Sequence, residues 1–214
     1  VPKIVSVFML LSISLVVSCT TPPPQLRLDS VLRREDFSQP SAWQPYVSAE
    51  QGIDFQIEQG AYIARLSQAG IMWALDATVH EDVVIDVETT QISAYRDNAY
   101  GLMCRAAPTD NGNGYYFLIS ADGQFTIRRG AADQIDALIQ WRSSNAIRQD
   151  QAINRIRVAC IGERLMLFVN DVFVAETTDS RYKRGYTGLS AGVTEGGTIE
   201  VWFDDLTIWS AAIP

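Results

Sequence analysis

From Ile53 to Trp209 the chain is a near-continuous succession of short apolar or alternating segments, each closed by Gly, Asn, Asp or Thr. Such a pattern predicts strands joined by tight turns. Candidate strands are Ile53–Glu58, Ala61–Leu66, Ile71–Leu75, Asp82–Gln91, Tyr100–Ala106, Tyr115–Ser120, Gln124–Arg129, Ile156–Ile161, Leu165–Val169, Val172–Glu176, Gly185–Ala191 and Thr198–Trp209. The punctuation fits: Asn113-Gly114 and Asp122-Gly123 tolerate positive φ, and Asn170-Asp171 suits a tight turn between two apolar runs. Helical periodicity is weak, with single turns expected only at Ala131–Leu138 and Ser180–Lys183. So many strands at this spacing imply an all-β fold of two packed antiparallel sheets.

The first 25 residues read as an address. Lys3 precedes an apolar run from Ile4 to Val17, too short to span a bilayer and right for a signal-peptide core. The ending Val16-Val17-Ser18-Cys19 resembles the lipobox of bacterial lipoproteins, which implies cleavage before Cys19 and lipidation of its thiol. Thr20-Thr21-Pro22-Pro23-Pro24-Gln25 then reads as a stiff, polyproline-like stalk. The expected division is a signal peptide over 1–18, a lipidated cysteine and stalk over 19–34, and a β-sandwich over 35–214. The expected location is extracytoplasmic, on the cell envelope, with membrane contact through the lipid alone.

Cysteine and charge counts narrow the chemistry. Lipidation uses Cys19 and leaves Cys104 and Cys160 as a disulfide candidate in an oxidising compartment. Zinc is not expected, because His80 is the lone histidine and no Cys-x-x-Cys occurs. Loss of the signal removes only Lys3 and moves the net charge from −8 to −9. That acidity argues against nucleic acid, which needs a basic surface. His80 itself, before Glu81-Asp82, reads as a surface-loop residue.

A family resemblance emerges from the order of several pieces. These are Asn98-Ala99-Tyr100-Gly101-Leu102-Met103-Cys104-Arg105, Tyr115 to Ile127, Asn154 to Val158, Leu165 to Asn170, Gly185-Tyr186-Thr187-Gly188-Leu189 and Phe203 to Ile208. Together they resemble concanavalin A-like and laminin-G-like jelly rolls, nearest to the bacterial branch called 3-keto-disaccharide hydrolase-like. The resemblance covers roughly Asp36 to Trp209. It implies the sandwich, and only weakly a function, because lectins, glycosidases and adhesive modules share it.

Catalysis is not expected. Jelly-roll glucanases carry Glu-x-Asp-x-Glu on one strand; Asp86 and Glu88 match its last two acids, but Val84 stands where the nucleophile belongs. Asp86 and Glu88 therefore read first as a solvated sheet face. Calcium is not expected either: Asp110-Asn111-Gly112-Asn113-Gly114 and Asp204-Asp205 offer oxygens but no EF-hand spacing. Neither metal nor cofactor is called for. Binding fits better, since sugar sites combine aromatic faces with polar side chains. Of five tryptophans, Trp43 and Trp209 lie near the two ends of the domain and are expected to pack the termini together. Trp73, Trp141 and Trp202 are the ligand-facing candidates, with Tyr116, Arg105, Asp86 and Glu88. The expected partner is a glycan or an extracellular protein; the alternatives are a hydrolase of disaccharide derivatives and a structural subunit of an envelope assembly.

Overall fold

The computed structural model describes residues 23–214 apart from 40, 42, 44, 109, 110, 195 and 196. Cys19, the signal segment and Asp110 lie outside the described residues. The elements are β1 (Arg27–Glu35), β2 (Tyr46–Ser48), β3 (Ile53–Glu58), β4 (Ala61–Leu66), β5 (Gly70–His80), β6 (Val83–Gln91), β7 (Ala99–Ala106) and β8 (Gly114–Ser120), followed by β9 (Gln124–Ala131), β10 (Gln134–Ser143), β11 (Asn154–Ile161), β12 (Arg164–Val169), β13 (Val172–Thr178), β14 (Gly185–Val193) and β15 (Ile199–Ala212). Nine form one sheet in the order β13-β12-β11-β6-β15-β4-β3-β2, with β1 paired to the second half of β15. The other six form a second sheet, β10-β9-β8-β7-β14-β5. Every pairing is antiparallel, so the fold is a two-sheet jelly-roll sandwich.

The core follows from period-2 alternation. On β8, Tyr115, Phe117 and Ile119 face inward against Ile85 and Val87 of β6, Val158 of β11 and Phe203 of β15. Tyr116 and Leu118 face outward, into a separate apolar cluster on the far side of the six-stranded sheet. Cys104 of β7 and Cys160 of β11 are buried and bonded to each other, with Cα atoms 6.7 Å apart, so the bridge ties sheet to sheet. Asn170 and Asp171 both take positive φ, 51° and 62°, as a two-residue hairpin between β12 and β13 requires.

Several expectations fail locally. Residues 27–34, read as stalk, form β1, whose alternation is hidden because the strand is exposed for most of its length. Ala131–Leu138 is no helical turn: it spans the β9–β10 hairpin, and register shifts in β10 blur its period. The 180–183 stretch holds no helix. His80 is buried, not a surface-loop residue. Irregular pairing of β5 with β14 leaves the Thr187 amide free, and Asp76 Oδ1 accepts its hydrogen bond at 3.2 Å. The Asp76 Oδ2 then lies 2.9 Å from His80 Nε2. Trp43 is enclosed in the inter-sheet core beside Tyr62, whereas Trp209 lies on the outer face of the nine-stranded sheet, so the two do not share one packing site.

Candidate functional site

The two outer faces differ in kind. On the nine-stranded sheet, several charged groups are paired to one another. Asp86 is fully buried beneath two arginines from β11: Arg155 Nε lies 2.7 Å from Oδ1, and Arg157 Nη2 2.6 Å from Oδ2. Register explains it, because Arg157 stands opposite Asp86 and Arg155 opposite Glu88. Asp86 holds the Arg155 guanidinium above its ordinary pKa. Arg65 likewise gathers Asp54, Glu58 and Glu200. Asp86 is thus a locked group and not a solvated one, and Val84 packs into an apolar patch with Ala159 and Met166. Glu88 lines a polar depression of about 260 Å³ with Arg34, Arg155, Asp205, Thr207 and Trp209. Trp202 belongs to this same sheet, its Nε1 donating to Glu200 Oε1 at 2.8 Å.

The six-stranded sheet presents an apolar and aromatic outer face. Cross-strand register lines up Leu75, Gly188, Met103, Tyr116, Arg128 and Ala137 in one row; the next holds Trp73, Ser190, Gly101 and Leu118. Small residues toward one end of the middle strands, Ala99 on β7 and Gly192 on β14, leave a trough. Large ones on β5, β8 and β10 wall it. A depression of about 260 Å³ is lined here by Ile71, Leu118, Arg128, Ile135, Trp141 and Gly192, among others. Trp141 is half-buried and lines this depression.

A loop after β7 shapes one end of this face. The Tyr116 hydroxyl donates to the Gly112 carbonyl at 2.7 Å, and the Trp73 ring meets the Tyr116 ring edge-on with centroids 6.2 Å apart. Gly130 allows the approach: a Cβ there would sit 1.8 Å from the Gly112 oxygen. Asn113 Oδ1 accepts from the Ala132 amide at 3.1 Å, while Asn111 Oδ1 accepts from the Asn113 amide at 3.2 Å. These amide oxygens are therefore spent on the loop itself. Among the described residues no cluster of three or more His, Cys, Asp or Glu could hold a metal.

Of the residues singled out from sequence, Trp73, Trp141 and Tyr116 share this face. Tyr116 is buried; Trp73 and Trp141 are both half-buried, Trp73 packed edge-on against Tyr116 and Trp141 lining the depression. Trp202, Asp86 and Glu88 belong to the opposite sheet. Arg105 belongs to neither face. Its φ of 53° in a bulge turns it toward the end of the sandwich, beside the disulfide. There all five of its N–H groups are placed: on the carbonyls of Glu81, Gly162, Tyr182 and Cys160, and on Asp82. Burial draws its pKa down from the usual range, opposed by the Asp82 charge. With no donor left over, Arg105 is a structural clamp and not a ligand group. Arg128 was missed. The signal was present, since Thr126 and Arg128 oppose Phe125 and Ile127 in alternation, but only the β8–β9 register puts Arg128 beside Tyr116.

No protein-family model matches the chain, and no curated protein matches it by sequence. Solved structures do match. The carbohydrate binding module CBM66 from Bacillus subtilis superposes with a TM-score of 0.63 at 18% identity, covering 79% of this chain and 96% of that one. A Bacillus subtilis protein of unknown function with a galectin-like fold gives 0.65 at 13% identity over 87% and 99%. The Bacillus licheniformis β-glucanase gives 0.60 at 8% identity over 86% and 99%. The chain thus has the concanavalin A-like jelly-roll fold, and at these identities the likeness defines the fold alone.

Proposed function

We propose that this domain is a glycan-binding module whose site is the outer face of the six-stranded sheet. The observation that carries the reading is Trp141, half-buried beside a trough that Ala99 and Gly192 keep open between Ile71, Leu118 and Ile135. An aromatic plane next to a shallow apolar groove suits the C–H face of a sugar ring. The carbohydrate-binding function of a structural neighbour supports the reading. The module is held outside the cytoplasm by lipid on Cys19, through a short proline-rich stalk, and does not catalyse. A glycan array with the purified chain, followed by calorimetry, tests it. Trp141→Ala should cost a bound glycan about 2 kcal/mol, roughly thirtyfold in affinity. Asp86→Ala and Glu88→Ala should each stay within about tenfold, roughly 1.4 kcal/mol. Affinity untouched by Trp141→Ala would move the site elsewhere.

One observation favours a hydrolytic second reading: Glu88 and Asp205 line the same depression with Trp209. Turnover of a disaccharide derivative that vanishes in Glu88→Gln would establish it. The assembly reading has its own feature, the exposed Leu28, Val31 and Leu32 on β1. Recovery of a cross-linked partner protein without glycan binding would favour that role.

A further inference from the structure

Among the described residues the trough beside Trp141 carries one charge, and it is positive. Its described lining is Gly70, Ile71, Ala99, Leu118, Ile135, Trp141, Gly192, Val193 and Thr194 around Arg128, with no carboxylate. The Arg128 Nε is buried and lacks a hydrogen-bond partner, and no ion pair joins this guanidinium to any described residue. The adjacent Arg129 also has a buried, unpartnered Nε, but it faces the other way and its Nη1 meets Asp179 at 2.7 Å, an ion pair that Arg128 does not have with any described residue.

We infer that the glycan taken at this face is anionic, carrying carboxylate or sulfate groups, and that Arg128 selects it. The inference rests on the glycan-binding reading above. A cation part-buried among Leu118, Ile135 and Trp141 gives up hydration with no partner in return. A carboxylate or sulfate restores that loss through charge-assisted, two-pronged hydrogen bonds that a neutral hydroxyl cannot match. Register leaves room for it: Arg128 stands between Ala137, whose methyl is small, and Tyr116, whose hydroxyl is turned away to Gly112. The chain's net charge of −8 repels polyanions at long range, yet charges beyond about 8–10 Å are screened at physiological salt. Selection therefore falls to the local cation.

The test pairs sugars that differ only in charge. Polygalacturonate is compared with its methyl ester, and dextran sulfate with dextran, by calorimetry on the full chain in detergent. The wild type should bind the acidic member about tenfold or more tightly, the scale of one charge-assisted contact. Arg128→Gln should bring the ratio of acidic to neutral affinity to about one, and Trp141→Ala should weaken both members. A preference that survives Arg128→Gln, or acidic and neutral members bound alike by the wild type, overturns the inference and leaves the glycan reading intact. Binding to neither member of either pair, by protein with native near-ultraviolet dichroism, overturns both.

Discussion

Breaking the Cys104–Cys160 bridge should remove about 4 kcal/mol of stability. The two cysteines stand 56 residues apart and join β7 in one sheet to β11 in the other. Cross-linking them closes a loop of that length in the unfolded chain, which lowers its entropy by about 14 cal/mol/K, or about 4 kcal/mol at 25 °C. For a chain of this size each kcal/mol shifts Tm by about 3 °C, so reduction should lower Tm by roughly 12 °C. Reduced wild-type protein is the clean comparison, because both sulfur atoms still fill the core. The double variant Cys104→Ala/Cys160→Ala should lose more, on the order of 1 kcal/mol extra for each buried sulfur replaced by a void. Urea unfolding with and without reductant, at equal protein concentration, measures the difference. The denaturant slope should also rise on reduction, since the freed chain exposes more surface. A loss below about 1 kcal/mol would refute the loop-entropy argument. Free alkylation of both thiols in native protein would refute the bond, and with it the support it lends to an oxidising compartment.

Asp86→Ala should destabilise the fold by about 2 kcal/mol in denaturant titration. It leaves Arg155 and Arg157 facing each other over an apolar gap, although their partial exposure keeps the loss below that of a fully buried pair. Asp179 should produce an acid-sensitive step. Burial would raise its pKa, but the Tyr115 hydroxyl at 2.6 Å, the Arg181 amide and Arg129 together hold it below 3.8. Its contribution is thus complete above the unfolded value and lost as pH falls through the lower folded one, so Asp179→Asn should flatten the stability profile below about pH 4. Asp204 has the opposite sign: burial and the Asp205 and Asp36 charges raise its pKa, so its ionisation opposes folding as pH climbs past 3.8. Asp204→Asn should then raise Tm at pH 7, and a lower Tm would contradict the assignment. Cys19→Ala should move the protein from the detergent phase to the soluble fraction or leave its precursor unprocessed.

What was legible in the sequence was whatever depends on neighbours along the chain. Alternation in Tyr115 to Ile119 sorted Tyr116 from the core residues, and Asn170-Asp171 announced its hairpin through its tolerance of positive φ. Edge strands were harder. β1 buries little, and β10 has shifted register, so neither shows the period that marks a half-buried strand. Tryptophan surplus singled out several residues, yet it could not separate Trp141 from Trp202, which occupy different sheets.

Two antiparallel sheets, most of the turns and most of the inward-facing side chains were readable along the chain, because those properties rest on period-2 geometry and local backbone preference. Which strands became neighbours was settled only when the sheets closed, and every site depends on that. Pairing of β6 with β11 buried Asp86 under two arginines, and a bulge in β7 turned Arg105 into a clamp between the sheets. Pairing of β8 with β9 set Arg128 beside Tyr116 on the trough. These contacts join residues far apart in the chain, so no local pattern encodes them, and the energy that fixes them appears only when the sheets close.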